Sequence, residues 1–218
     1  MLKQTAEAAL DTLLERFPVL SPLREQITAG VLLLAETYRG GGKLLLCGNG
    51  GSAADSLHIV GELMKSFTLP RPISPELKGE LERLYPDDAP YYEKYLQAAL
   101  PAVSLVSETS LLTAYGNDAA ADLAFAQQVA GYGKEGDVLL AISTSGNSPN
   151  VLHAAKIAKA KGLSVISMTG RNGGKLRELS DILLNVPSSV THHIQELHLP
   201  VYHGLCQLLE IELFGAET

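Results

Sequence analysis

The residues best suited to chemistry fall in four places. His58 and Glu62 stand four apart, so a helix would carry an imidazole and a carboxylate on one face. That pair suits two metal ligands, or a ligand and a base. The second place is residues 191–203, which hold four of the six histidines. Neutral imidazole is a common metal ligand and a general acid or base near neutral pH. Here His203 is the chemical candidate. His192 and His198 are expected to cap the helix or fill its core face, and the lone His153 to be structural. The third place is Gly48-Asn49-Gly50-Gly51-Ser52, whose glycines let backbone N–H groups approach a ligand at a helix start. The fourth is Ser143-Thr144-Ser145-Gly146-Asn147-Ser148, with four hydroxyls ahead of another helix start, a neutral cradle for phosphate. No lysine follows as in a P-loop, and the glycine loop is not GxGxxG, so neither reads as a nucleotide site.

These loops need elements to hold them. Lys43-Leu44-Leu45-Leu46-Cys47 and Asp137-Val138-Leu139-Leu140-Ala141-Ile142 are apolar runs that end at the two loops, as expected of buried parallel strands. Further strands are expected over 102–107, 164–168 and 182–186. Helices are expected over about 53–67, 120–131, 149–161 and 193–214, with short ones at 111–114 and 173–179. Ser148 occupies the N-cap position of the third, with Pro149 at its first turn. Two helices fill residues 2–39, ahead of the first strand. Strands separated by helices predict a doubly wound, three-layer α/β domain of five parallel strands, with ligands at the strands' carboxyl ends. Residues 68–101 interrupt the alternation. Six of eleven prolines and four of eight tyrosines lie there, which reads as an insertion with short helices at 75–84 and 90–99. It is expected to fold over the site or a subunit boundary, or else to decorate the surface.

Composition narrows the function. The 218 residues are 46% hydrophobic and 19% charged, which is globular rather than disordered. The net charge of −7 and the absence of a basic stripe argue against nucleic acid. No apolar run is long enough to span a membrane. The opening MLKQTAEAALDTLLERF reads as an amphipathic helix without signal-peptide features. Cys47 and Cys206 are too few for a disulfide framework and read as reduced residues of a cytoplasmic protein. Cys47 ends a buried strand and is expected to be core, not a nucleophile. The helices of 1–39 carry more apolar residues than a sheet edge can cover, which predicts packing between subunits.

Taken together, these motifs resemble the sugar isomerase (SIS) domain family, and within it the bacterial phosphoheptose isomerases. The resemblance rests on residues 47–55, His58, Glu62, Gly116-Asn117-Asp118, residues 136–148, Thr169-Gly170 with Gly173-Gly174, and Ile194-Gln195-Glu196-Leu197-His198 followed by His203. It implies a flavodoxin-like sheet, a homotetramer, and conversion of sedoheptulose 7-phosphate to D-glycero-D-manno-heptose 7-phosphate. It also implies one zinc ion per subunit on His58, Glu62, Gln195 and His203, with Glu62 and His203 catalytic. The implied phosphate loop is Ser143, Thr144, Ser145 and Ser148 with Ser52. Asn49, Gly50, Gly51, Asp118 and Gln195 would meet the sugar. Three departures from the family pattern bear on the sugar: Ser66 in place of an arginine, His192 in place of an aspartate, and the long segment 68–101. Gln195 and His203 are eight apart, about 12 Å along a straight helix, so shared ligation needs a bend, for which Pro200 is placed, or a second subunit. The same family contains non-catalytic phosphosugar-binding members that act through a protein partner such as a replication initiator. It also contains regulators, amino-sugar isomerases and etherases. No helix-turn-helix is present for a regulator, and a pure binder has no need of the His58, Glu62, Gln195, His203 set.

Overall fold

The computed structural model describes residues 1–216; the last two residues of the expected 1–218 domain lie outside the described part. One sheet of five parallel strands organises them: β1 Leu44–Cys47, β2 Ala102–Ser104, β3 Val138–Ile142, β4 Ser164–Thr169 and β5 Ile182–Asn185, in the order β2-β1-β3-β4-β5. β1 and β3 are buried along their whole length, which their uninterrupted apolar sequence requires. The order reverses at β1, so the loops that follow β1 and β3 lie side by side at the switch point, where open α/β sheets bind ligands.

Helices cover both faces. On one lie α1 Gln4–Arg16, α2 Arg24–Arg39, α3 Gly51–Met64 and the long α9 Thr191–Phe214. On the other lie α7 Ala124–Tyr132 and α8 Pro149–Ala160. In the chain, α4 Pro75–Leu84, α5 Ala89–Tyr95 and α6 Thr109–Tyr115 come between α3 and α7. Among the described residues no helix is long and apolar enough to cross a membrane. Both cysteines are free and buried, and burial pushes the Cys47 thiol up to about 12, which leaves it inert.

Several expected boundaries shift, each for a local reason. The second insertion helix stops at Tyr95, not residue 99. From there the chain must run back extended, with Ala98 N–H bonding the Arg71 carbonyl (2.8 Å) and Leu100 N–H the Leu63 carbonyl (2.9 Å). β2 ends at Ser104 because the chain turns there, Ser107 N–H bonding the Ser104 carbonyl (3.1 Å). The helix expected over 120–131 opens as a tight turn, Ala121–Leu123, before α7, and the one over 173–179 is a 3-10 turn, Gly174–Glu178. The Ser148 hydroxyl does not cap α8. It bonds the Ser143 hydroxyl instead (3.0 Å).

Helices α1 and α2 bury much of their apolar surface within the protomer. Leu10, Leu20, Ile27 and Val31 are fully buried inside the protomer, with α9 packed against both helices. Part of the apolar surplus of residues 1–39 is therefore covered by α9, while Leu32 and Leu33 of α2 stay only partly buried. Replacing Leu10 by alanine should lower the urea-unfolding free energy by about 2–4 kcal/mol with an unchanged slope. A loss near zero would show that α1 is not docked on α9.

Candidate functional site

Helices α3 and α9 run parallel in a fixed register, and that register builds the site. Gly51 faces Gln195 so closely that a Cβ there would come within 2.4 Å of the Gln195 amide. Two turns on, the Tyr202 hydroxyl bonds His58 Nδ1 at 3.0 Å. Just beyond α3, Phe67 N–H bonds the Glu210 carboxylate at 2.8 Å. Each contact joins residues about 144 positions apart. α3 can start this close because Gly50 takes φ +55° at the turn and Gly51 has no side chain.

The register brings His58, Glu62 and His203 together. His58 Nε2 lies 3.3 Å from Glu62 Oε1, and the His58 and His203 rings meet edge to face with centroids 5.0 Å apart. Phe67 covers the other side of His203 at 5.7 Å. Gln195 is not with them. α9 passes through Pro200 as one helix, so Gln195 stays beside Gly51, about 10 Å nearer the start of α3 than the histidines. Of the four ligands that the family resemblance implies, Glu62 and His203 each lie beside His58, while Gln195 lies against Gly51.

The charges are divided. Burial pushes Glu62 up, but Lys65 at 2.9 Å and His58 outweigh it and hold the carboxyl below its ordinary value, ionised at neutral pH. Burial and the neighbouring His58 lower His203 against the pull of Glu62, so its imidazole is neutral. His203 Nε2 is buried with no hydrogen-bond partner among the described residues. His198, by contrast, is core: burial lowers it to about 4, and its Nε2 lies 3.3 Å from the Thr169 carbonyl. His192 is exposed against His193, and His153 lies 3.6 Å from Asp122.

Sequence reasoning missed Asp55 and Tyr202. Asp55 lies one turn before His58, and burial raises its carboxyl to about 6, with Tyr202 and His58 drawing it partly back. Its Oδ2 is a buried oxygen without a partner among the described residues. The spacing of Asp55 from His58 was a signal that could have pointed to it.

The second loop forms a separate cleft of about 110 Å³ lined by Thr144, Ser145, Gly170, Arg171, Ser188 and Ser189 among others. Thr144 and Ser145 line it, whereas Ser143 and Ser148 are tied to each other. Arg171 adds a cation that the sequence reading did not foresee. Asn49 and Asn150 exchange amide hydrogen bonds at 2.9 Å in both directions, locking the first loop to the start of α8. Gly50 and Asn49 are exposed, Ser52 is buried, and Asp118 is exposed beside Asn117 at 2.8 Å.

Among the described residues no three His, Cys, Asp or Glu side chains converge tightly enough to hold a metal as they stand. The donor set nonetheless suits one: two imidazoles and a carboxylate, with one buried ring nitrogen unpartnered. Two histidines and a glutamate are also the three protein ligands of some catalytic zinc sites.

A family model described as SIS domain matches residues 8–97 and 94–170. A phosphoheptose isomerase of Burkholderia pseudomallei is 41% identical over 212 residues, covering 97% of this chain and 92% of its own. One from Clostridium acetobutylicum is 42% identical over 194 residues, covering 89% and 86%. Among solved structures, the phosphoheptose isomerase of Neisseria gonorrhoeae matches with a TM-score of 0.70 at 35% identity, over 94% of this chain and 93% of that one.

The raised Asp55 makes a prediction. A carboxyl whose folded value lies above its unfolded value adds stability that is full at low pH and lost as pH rises through the folded value. Asp55→Asn, which cannot ionise, should therefore unfold at a higher temperature than the parent at pH 8, with the gap closing below about pH 4. Thermal melts in chelator at both pH values check it; a pH-independent gap would refute the burial argument.

Proposed function

The chain belongs to the SIS domain family, and we propose that it is an aldose–ketose isomerase interconverting sedoheptulose 7-phosphate and D-glycero-D-manno-heptose 7-phosphate through an enediol. The observation that carries this reading is an ionised carboxylate and a neutral imidazole, Glu62 and His203, both set against His58 where α3 packs along α9. The overall similarity to phosphoheptose isomerases supports it. A protein that only bound phosphosugars for a partner would not need that pair.

The reaction moves hydrogen without net oxidation. Glu62 takes the proton from C1 of the ketose as O2 gains one, which gives the enediol. A proton is then delivered to C2 while O1 loses its own, and the carbonyl re-forms at C1. His203, neutral at rest, can both take and give a proton, which suits it to the transfer between the two oxygens. The enediolate charge must be stabilised while this happens. His58, Glu62 and His203 would hold a zinc ion, which when bound supplies Lewis-acid polarisation of the sugar oxygens; because a ligated carboxylate is a weaker base and a ligated ring nitrogen takes no proton, full ligation and proton transfer by Glu62 and His203 would belong to different stages of turnover. Thr144 and Ser145, with Arg171, Ser188 and Ser189 around the same cleft, would hold the phosphate. Ser52, Asn49, Gly50, Gly51, Gln195 and Asp118 remain the candidates for the sugar itself.

Within one protomer the candidate phosphate cleft is lined by Ile194 at the start of α9, while His203 lies more than two turns further along that helix. The substrate must bridge that span or draw one group from a second copy. Leu57 and Met64, seven apart on α3, stay 48% and 46% exposed, and Leu199 shares a cavity wall with His203. This apolar strip beside the site supports a homotetramer whose subunits meet there. Light scattering should give four times the chain mass at micromolar concentration; a monomer would refute the assembly. Two buried free thiols agree with a cytoplasmic location.

Incubation of the purified protein with sedoheptulose 7-phosphate should yield the aldose. Glu62→Gln should lower kcat by about 10³-fold or more with folding intact, and metal analysis should find about one zinc per subunit. An active Glu62→Gln would overturn the base assignment. Full activity of metal-free protein in chelator would overturn the zinc.

A further inference from the structure

Arg71 is fully buried, although it comes from the proline-rich segment that interrupts the fold. Its Nε bonds Glu210 of α9 at 2.6 Å, and its Nη1 bonds the Leu63 carbonyl at 2.8 Å. Its Nη2 reaches the carbonyl of Glu62 itself at 3.3 Å. These two carbonyls belong to the last turn of α3, where helical carbonyls lack intrahelical partners and a cation is favoured. Arg71 thus takes the place of a C-terminal cap on the helix end that carries Glu62.

Glu210 holds the other side. Its Oε1 accepts from Phe67 N–H and Arg71, and its Oε2 accepts from Thr68 N–H and hydroxyl and from Leu69 N–H. Burial opposes ionisation there, but these five donors outweigh it and keep the carboxyl below its ordinary value. The carboxylate therefore wraps residues 67–71 around itself. That wrap seats Phe67 against His203. Glu210 lies seven residues after His203, on the same face of α9. One ion pair thus fixes the end of α3 under Glu62 and the ring that backs His203.

We propose that Arg71 and Glu210 are positioning residues for the isomerisation: the pair sets Glu62 and His203 at their working separation, and neither touches the substrate. This rests on the isomerase reading above. A pair that only held the fold could be exchanged for an apolar pair without loss of rate, since well-packed replacements of buried ion pairs are often neutral for stability. A positioning pair could not, because a displacement near 1 Å at a reacting group can cost about 100-fold.

The test uses full-length protein with metal present and compares the parent, Arg71→Lys and the double variant Arg71→Met/Glu210→Met. Circular dichroism and thermal melts establish folding, and sedoheptulose 7-phosphate is the substrate. Lysine can meet Glu210 with its single ammonium but lacks the planar fork that caps two carbonyls as well. Folded Arg71→Lys should lose about 10-fold in kcat, and the folded double variant about 100-fold, with KM within about twofold for each. If the double variant does not fold, Arg71→Lys carries the test. A folded variant with parental kcat, or a loss confined to KM, overturns the proposal. An inactive parent defeats the isomerase reading and this inference with it, and the two failures are told apart by the parent assay alone.

Discussion

The packing of α9 along α3 is the constraint on which the site depends. Apolar contact alone would not fix it, because hydrophobic attraction is non-directional and a helix covered all round can slide or rotate. Polar groups buried along α9 remove that freedom. His198 must find the Thr169 carbonyl, Tyr202 must find His58, and Glu210 must find its donors at the end of α3. Each unmatched group would cost a desolvation penalty of about 1–3 kcal/mol, more for the charge. These matches, spaced over three turns of α9, leave one axial position and one rotation, and His203 then faces His58 and Glu62.

Much of this was legible in the sequence, because the strands and loops are specified locally. Leu44-Leu45-Leu46-Cys47 followed by Gly48-Asn49-Gly50 admits little other than a buried strand and a tight turn into a helix. For the same reason Thr144 and Ser145 could be placed in a loop after a strand, where they line a cleft, and the spacing of His58 and Glu62 places them side by side on α3. What could not be read is held by distant parts of the chain. Nothing local sends Arg71 inside; its partner lies 139 positions away. Arg71 lies in a proline-rich stretch that reads as an insertion; it is buried, as are Ala89 and Leu100, while α4 buries no residue. That α9 covers part of the apolar surface of α1 and α2 could not be read locally for a similar reason: α9 is the last helix of the chain. Pro200 suggested a bend that would bring Gln195 to His203. The helix continues through it, and Gln195 is held at Gly51.

Asp55 and Glu62 show how one helix can give two carboxyls different tasks. They lie seven apart on the same face of α3, and His58 between them touches the surroundings of both. Asp55 is raised to about 6 by burial, whereas Glu62, facing Lys65, is held below its ordinary value. Environments that drive two like groups apart divide acid and base roles between them. A base that must be ionised before substrate arrives is better served by Glu62. A carboxyl that is costly to ionise is better kept behind the Tyr202 hydroxyl, where it bears on His58 through its neighbour and not on the sugar. The neutral His203 completes the division, since a proton moving between two oxygens needs a group that can receive it and give it back. In the proposed reaction the carboxylate and the neutral imidazole sit on two helices whose relative placement is fixed by buried polar contacts, and the candidate phosphate cleft lies among the loops after β3, β4 and β5.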